Sequence, residues 1–340
     1  DSMEGPTPIS ALIHAATMVT AGIFMVSRMS PIFELSEQAL VFIMIVGSIT
    51  AFFMGILGMI QSDIKKVVAY STLSQLGYMT VALGASAYSL AMFHLITHAF
   101  FKALLFLAAG SVIIGMHHEQ DIRKMGGLWK YMPITWFVSL IGTLSLVGFP
   151  FLSGFYSKDL IILAVGVSKL EVASFIHIIL EVGVFITAFY SFRMFFLVFH
   201  GKERFDSSHH KPKESSLVVT LPLILLAVPS VFLGAIIFEP LVFLGWLDDS
   251  ISVLPKHDFL LNLNLMSSDF FDFASHGFFT LTFALLLLGF IFAILNTLVY
   301  PQSASFLSNN FPKIKTLLSE KYYFDRFNDW FFAAGSRFIG

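Results

Sequence analysis

The chain has no cysteine among its 340 residues, and only 12% of them are Asp, Glu, Lys or Arg. The first absence excludes disulfides, thiolate metal sites and cysteine nucleophiles, and it leaves the compartment open. The second has larger consequences. A soluble domain averages about 25% charged residues, so half of the usual charge is missing. Apolar side chains fill its place, 56% of the total, with forty phenylalanines. Residues 39–62, 131–157, 215–238 and 277–312 hold no Asp, Glu, Lys, Arg or His at all. Each run exceeds the roughly 20 residues needed to cross a hydrocarbon core. The chain is therefore read as an all-α membrane protein. It also lacks a nucleotide-binding glycine loop, a nucleophile elbow and an HExxH pair, and nothing in it points to nucleic acid.

About eight transmembrane helices are expected, near 7–28, 39–61, 67–84, 88–116, 133–167, 172–199, 216–238 and 277–300. Pro6 and Pro8 fit the first turn of the first span, where no N–H is owed to a partner. The fifth span is too long for one crossing and carries GFPFLSG at 148–154. Pro150 removes a helix hydrogen bond there, which predicts one discontinuous helix lining a polar cavity. Alternate connecting segments hold nine Lys and Arg in one set (Lys65 to Lys213) and three in the other (Arg28, Lys169, Lys256). The positive-inside rule puts the first set, and with it both ends of the chain, in the cytoplasm. Beyond the last span, IKTLLSEKYYFDRFNDWFF places Ile314, Leu317, Leu318, Phe324, Phe327 and Phe331 at helical spacing. One helix lying in the cytoplasmic interface is expected there. DSMEGPTP at the start lacks an initiator Met and a signal-peptide pattern, and GSRFIG at the end has no distinctive closing signal, so the chain is expected to be a fragment.

Against this apolar background, HLITHAFFKALLFL at 94–107 stands out. From 67 to 116 the only Asp, Glu, His, Lys or Arg residues are His94, His98 and Lys102. Spaced four apart on a helix they form one stripe about 12 Å long. Lys102 lies at the middle of its span, where a charge costs about 3 kcal/mol on insertion scales. Such a group must face a cavity or a partner. Burial disfavours the charged form of an amine, and an imidazole can take a proton on one ring nitrogen and release it from the other. The stripe has the chemistry of a proton relay; interhelical hydrogen bonding alone is the plainer account. His14 is the sole ionisable residue from 5 to 27 and is a candidate fourth member. Lys158 and Asp159 follow the helix break and fit the outward end of the same route. His177 and Glu181 make a further pair near a surface. Tyr70, Ser71, Thr72, Ser74 and Gln75 could carry an ordered water chain inward from Lys65 and Lys66. HHEQD at 117–121 and DSSHH at 206–210 are read as solvated loops, and no metal site is assigned.

GPTPISALIHAATMVTAGIF, DIKKVVAYSTLSQLGYM, FHLITHAFFKALLFLAAGSVI, HHEQDIRKMGGL, GFYSKD and FYSFRMFFLVFHG closely resemble the antiporter-like subunit L family of bacterial respiratory NADH–quinone oxidoreductase (complex I), whose mitochondrial counterpart is subunit 5. The resemblance runs from residue 1 to about 238 and resumes at the last span and EKYYFDRFNDWFF. It implies a proton-pumping channel in the bacterial inner membrane, with His14, His94, His98 and Lys102 as the central relay and Lys158 leading outward. It implies no cofactor in this chain, with NADH, flavin, iron–sulfur clusters and quinone held by partner subunits. Other membrane subunits, especially another antiporter-like one, are the implied partners. On this view residues 1–200 are part of the second-repeat half of the channel, 201–300 additional transmembrane helices, and 301–340 the start of the interfacial helix. A multisubunit Na⁺/H⁺ antiporter subunit, which shares this core, and a non-catalytic membrane scaffold remain open.

Overall fold

The computed structural model describes residues 3–205, 211–262, 269–302 and 309–339. Helices occupy all eight expected spans, and among the described residues there is no strand, only one isolated bridge between Asp63 and Asp121. The first span is α1 (Thr7–Ala15) and α2 (Ala21–Arg28), joined through a 3₁₀ turn at Met18–Thr20. A short α3 (Ser30–Phe33) leads to α4 (Glu37–Ile60), then α5 (Ile64–Gly84) and α6 (Tyr88–Gly115). The fifth span is two pieces, α7 (Pro133–Val147) and α8 (Ser153–Val167), followed by α9 (Ala173–Phe199) and α10 (Leu217–Val242). Short α11 (Phe259–Asn262) and α12 (Phe270–Gly277) precede α13 (Leu281–Ile294), which ends in a π-helical turn.

Among the described residues, six helices are long and apolar enough to cross a membrane, counting α1 and α2 together. The 21-residue α5 is long enough but too polar for that count, and its burial explains why. Its flanks meet α4, α6, α8 and α9 rather than the surface. It is an inner helix of the bundle, with a polar face the neighbours must satisfy.

Caps fix where the helices begin. Asp63 accepts from Lys65 N (2.8 Å) and Lys66 N (3.1 Å) at the start of α5. Glu214 reaches across to Ile134 N (2.8 Å) at the start of α7, placing a carboxylate where the helix dipole favours one. Tertiary bonds then sort the loops into two ends. At one end, Ile122 N donates to Ser62 O (2.8 Å), Arg204 to Leu197 O (2.6 Å) and Arg193 to Gln61 O (2.9 Å). Lys65 there holds the carbonyls of Met3 (2.6 Å) and Gly5 (2.8 Å). At the other, buried Glu34 accepts from Tyr88 (2.9 Å) and Leu254 N (3.1 Å), and Arg28 donates to Ser250 O (3.2 Å). The first end gathers the loops rich in Lys and Arg.

The C-terminal segment departs from the expectation of one interfacial helix. α14 (Pro312–Ser319) and α15 (Phe324–Asn328) are separated by Lys321, Tyr322 and Tyr323, all with positive φ. Tertiary contact favours the kink: the Tyr322 hydroxyl donates to Phe53 O (3.1 Å) on α4, and the two rings meet edge to face.

Candidate functional site: a buried His–Lys chain

Two interrupted spans frame the site. Between α7 and α8 the chain turns at Gly148 (φ 84°) and Phe151 (φ 71°). A left-handed conformation at a helix C-terminus suits Gly and is strained for Phe. Gly154 opens α8 against Ser145, whose hydroxyl accepts its N–H (3.1 Å). The second interruption, between α1 and α2, falls within what the sequence reads as a plain span. It contains no Pro or Gly. Thr17 leaves the helical region, and the Thr17 and Thr20 hydroxyls donate to Leu12 O (2.9 Å) and Ala16 O (3.0 Å). Threonine back-bonding of this kind bends helices, and the freed Ala15 carbonyl points inward.

The α6 stripe lies between these breaks. His94, His98 and Lys102 are completely buried, which in a membrane protein demands polar neighbours. Ser71 of α5 accepts a hydrogen bond from Lys102 Nζ. His98 Nδ1 meets the Ala15 carbonyl (3.3 Å). His94 is held on both nitrogens, Nε2 to Gln75 Oε1 (3.1 Å) and Nδ1 to Ser157 Oγ (2.8 Å). The two imidazoles stand 6.1 Å apart, ring centre to ring centre. His14 is buried where α1 ends, with its ring 5.6 Å from Phe106, and feels the charge of Lys102.

Ser157 carries the stripe onward. Its hydroxyl also meets Thr97 Oγ1 (2.8 Å), and it directly precedes Lys158 in α8. Lys158 is 2% exposed, and its ammonium lies over the Tyr78 ring, 5.1 Å from the centroid, with no hydrogen-bond partner among the described residues. That contact is a cation–π interaction in a desolvated setting. Asp159 is buried too but forms no ion pair with Lys158. Successive helical positions diverge by about 100°, and Asp159 turns toward α9 and α13, where Glu181 and Thr282 are its polar neighbours. Glu181 accepts from Thr282 (3.2 Å) and lies 3.9 Å from His177, which bonds Ile162 O (3.0 Å).

The structure thus buries His94, His98, Lys102 and Lys158 between α5, α6 and α8, with hydrogen bonds from α6 to α8 through Ser157, His14 beside the stripe and Asp159 directed toward Glu181. It adds partners that sequence reasoning did not assign to the site: Ser157, Thr97, Glu181, Tyr78 and the Ala15 carbonyl. Tyr190 of α9 sits within reach of Ser71 and Gln75. Ser157 had one available signal, its place immediately before Lys158.

The loop at 117–121 spends its carboxylates locally. Glu119 bonds Lys124 (2.8 Å) and Asp121 bonds Arg123 (2.7 Å), and those cations hold both carboxyls below their ordinary range. No three His, Cys, Asp or Glu side chains converge as a metal site would need among the described residues. DSSHH at 206–210 lies outside them.

Residues 1–194 match the family described as NADH:quinone oxidoreductase/Mrp antiporter, transmembrane. NADH-quinone oxidoreductase subunit L of Neisseria meningitidis serogroup B is 55% identical over 360 aligned residues, covering 100% of this chain and 53% of the relative. NADH-ubiquinone oxidoreductase chain 5 of Marchantia polymorpha is 44% identical, covering 99% and 50%. The chain spans about half the length of these curated relatives. Among solved structures, a chain of the Mrp complex from Dietzia sp. DQ12-45-1b superposes with a TM-score of 0.60 at 18% identity, over 68% of this chain and 51% of that one, a likeness of fold. A chain of an archaeal membrane-bound sulfane sulfur reductase gives 0.54 at 32% identity, over 58% and 32%. The buried polar chain, the interrupted helices and these likenesses converge, and the chain belongs to the NADH:quinone oxidoreductase/Mrp antiporter transmembrane family.

Proposed function

We propose that this chain conducts protons across the bacterial inner membrane as part of a membrane subunit of an NADH–quinone oxidoreductase, with the redox chemistry carried out in partner subunits that hold NADH, flavin, iron–sulfur clusters and quinone. Its neighbours are then other membrane subunits, another antiporter-like one above all. The Lys- and Arg-rich end faces the cytoplasm, and both ends of the chain lie on that side. Residues 1–200 form part of the second-repeat half of the channel. Residues 201–300 add transmembrane helices, and 301–340 begin a segment along the cytoplasmic interface.

The observation that carries the reading is Ser157. Its hydroxyl lies 2.8 Å from both His94 and Thr97 and ties the α6 stripe to the helix that bears Lys158. Lys158 Nζ has no hydrogen-bond partner among the described residues, so the last step from Ser157 to the lysine runs through bridging water. A proton on Lys102 reaches the imidazoles of His98 and His94 through bridging water, since 6.1 Å between ring centres exceeds a direct hydrogen bond. From His94 it passes by way of Ser157 toward Lys158, and then by Asp159 and Glu181 to the outer end. The charge of Lys158 is felt at Lys102. In a low-dielectric interior two ammonium groups repel, so charging one favours discharging the other, which drives the proton forward.

Ser157→Ala tests this. It removes one buried hydroxyl of a side chain that fits the same space, so the complex is expected to assemble. Proton pumping per quinone reduced, measured in proteoliposomes, is expected to fall about tenfold, equivalent to one lost hydrogen bond. A scaffold whose stripe is only interhelical adhesive would show unchanged pumping. The same preparation in sodium-free buffer addresses the Na⁺/H⁺ antiporter alternative, which predicts loss of transport there; the relay predicts none.

A further inference from the structure

His94 and His98 sit one turn apart on α6, but their surroundings fix them in opposite ways. A carbonyl oxygen accepts hydrogen bonds and cannot donate them. The contact from His98 Nδ1 to Ala15 O (3.3 Å) therefore places the His98 hydrogen on Nδ1. Its Nε2 is left with the lone pair and has no protein partner among the described residues. At His94 the carbonyl oxygen belongs to Gln75, and it meets the other nitrogen, Nε2, at 3.1 Å. That places the His94 hydrogen on Nε2 and the lone pair on Nδ1, facing the Ser157 hydroxyl at 2.8 Å. Gln75 is fully buried on α5, one turn from the Ser71 that holds Lys102, so α5 supports both ends of the stripe.

We propose that Gln75 is a positioning residue whose carbonyl oxygen keeps neutral His94 protonated on Nε2 and so reserves Nδ1, on the Ser157–Lys158 side, as the nitrogen that takes up and gives back the proton. The inference rests on the proton route described above and narrows it: bridging water from the His98 side delivers the proton to Nδ1 of His94, the same nitrogen that hands it on to Ser157. His94 becomes a one-sided proton store. A proton arriving at Nδ1 makes the imidazolium, with Nε2–H still donating to Gln75. Release through Nε2 would require the amide oxygen to hold a proton, which an amide does poorly. The proton therefore leaves from Nδ1, and backflow toward α5 is blocked. This is the second-sphere logic by which a partner on one ring nitrogen decides what the other can do.

The groups that face His94 bound what a titration would report. They are His98 and Lys102 on its own helix, Lys158 on α8, and on α5 only Gln75 among those bonded to it.

The test uses the assembled respiratory complex in proteoliposomes, with pumping and quinone reduction followed across pH. Gln75→Leu removes the acceptor and frees the tautomer. Pumping per quinone reduced is expected to fall about tenfold, the worth of one buried hydrogen bond. Gln75→Glu keeps the shape and puts a carboxylate on Nε2. A carboxylate favours the imidazolium, so the alkaline limb of the pumping profile is expected to move up by about one pH unit. A purely structural glutamine would not move that limb. If Gln75→Leu does not assemble, Gln75→Glu decides alone. Wild-type rate and pH profile in the glutamate variant overturn the proposal. Lys102→Ala in the same preparation separates the two levels. If it stops pumping while Gln75→Glu behaves as wild type, only the role of Gln75 fails. If it pumps normally, the proton route itself fails and Gln75 with it.

Discussion

Replacing Lys102 with alanine is expected to abolish proton pumping, by about a hundredfold or more, while leaving assembly of the complex intact. Positioned proton donors and acceptors contribute about 10²–10⁴-fold to the steps they serve, and Lys102 is the only strong base at the middle of α6. The two halves of the expectation have separate physical causes. Burying an ammonium at mid-membrane costs about 3 kcal/mol on insertion scales. Deleting it relieves that cost, which offsets the packing lost with three methylenes, and Ser71 retains its bond to Val68 O (2.7 Å). Lysine-to-arginine sharpens the test, because a guanidinium keeps its charge through any accessible pH. Lys102→Arg is expected to be as inactive as the alanine variant. Pumping in the arginine variant would mean that a fixed charge suffices and that proton exchange at position 102 is not required. Pumping and quinone reduction measured together in proteoliposomes give both readings.

The stripe was legible in sequence because its signal is periodic and its background is silent. Three basic residues four apart, in fifty positions otherwise free of Asp, Glu, His, Lys and Arg, define a helix face without any knowledge of neighbours. The interruption at 148–152 was legible for a similar reason, since Pro150 and two glycines announce it. The interruption after Ala15 was not. Threonines there satisfy carbonyls locally, and the remaining carbonyl is taken by His98, a partner more than eighty residues away. The kink at Tyr322 has the same character. Its apolar spacing reads as one continuous helix, and only the contact with Phe53 on α4 shows why it breaks. Glu181 illustrates a third kind of gap. Its pairing with His177 is visible as i, i+4 spacing, whereas its approach to Asp159 depends on how α8, α9 and α13 cross.

A valine at Gly77 is expected to prevent assembly altogether, with functional loss as a consequence. Gly77 of α5 faces Gly47 and Ala51 of α4 at backbone contact. A Cβ there would fall 2.6 Å from Ala51 Cα and 2.7 Å from Gly47 O, and a Cβ at Gly47 would lie 2.7 Å from Val81 N. Small residues a turn apart are how membrane helices approach closely enough to gain dispersion without a hydrophobic driving force. Both obstacles are backbone, so no side-chain rotation relieves them, and the overpacking penalty reaches about 3 kcal/mol. The same seam places the site, because Ser74 bonds Ala51 O across it (2.8 Å). Ser71 and Gln75 flank Ser74 on α5. A forced separation of α4 and α5 therefore shifts the residues that hold Lys102 and His94. Gly22 of α2 provides the contrast, since a Cβ there meets nothing within 4 Å. Gly22→Ala is expected to assemble at wild-type level and to gain a few tenths of a kcal/mol from the better helix former. Native gel electrophoresis of membranes carrying each variant gives the measurement. Equal yields of intact complex from Gly77→Val and Gly22→Ala would show that α4 and α5 do not depend on backbone contact.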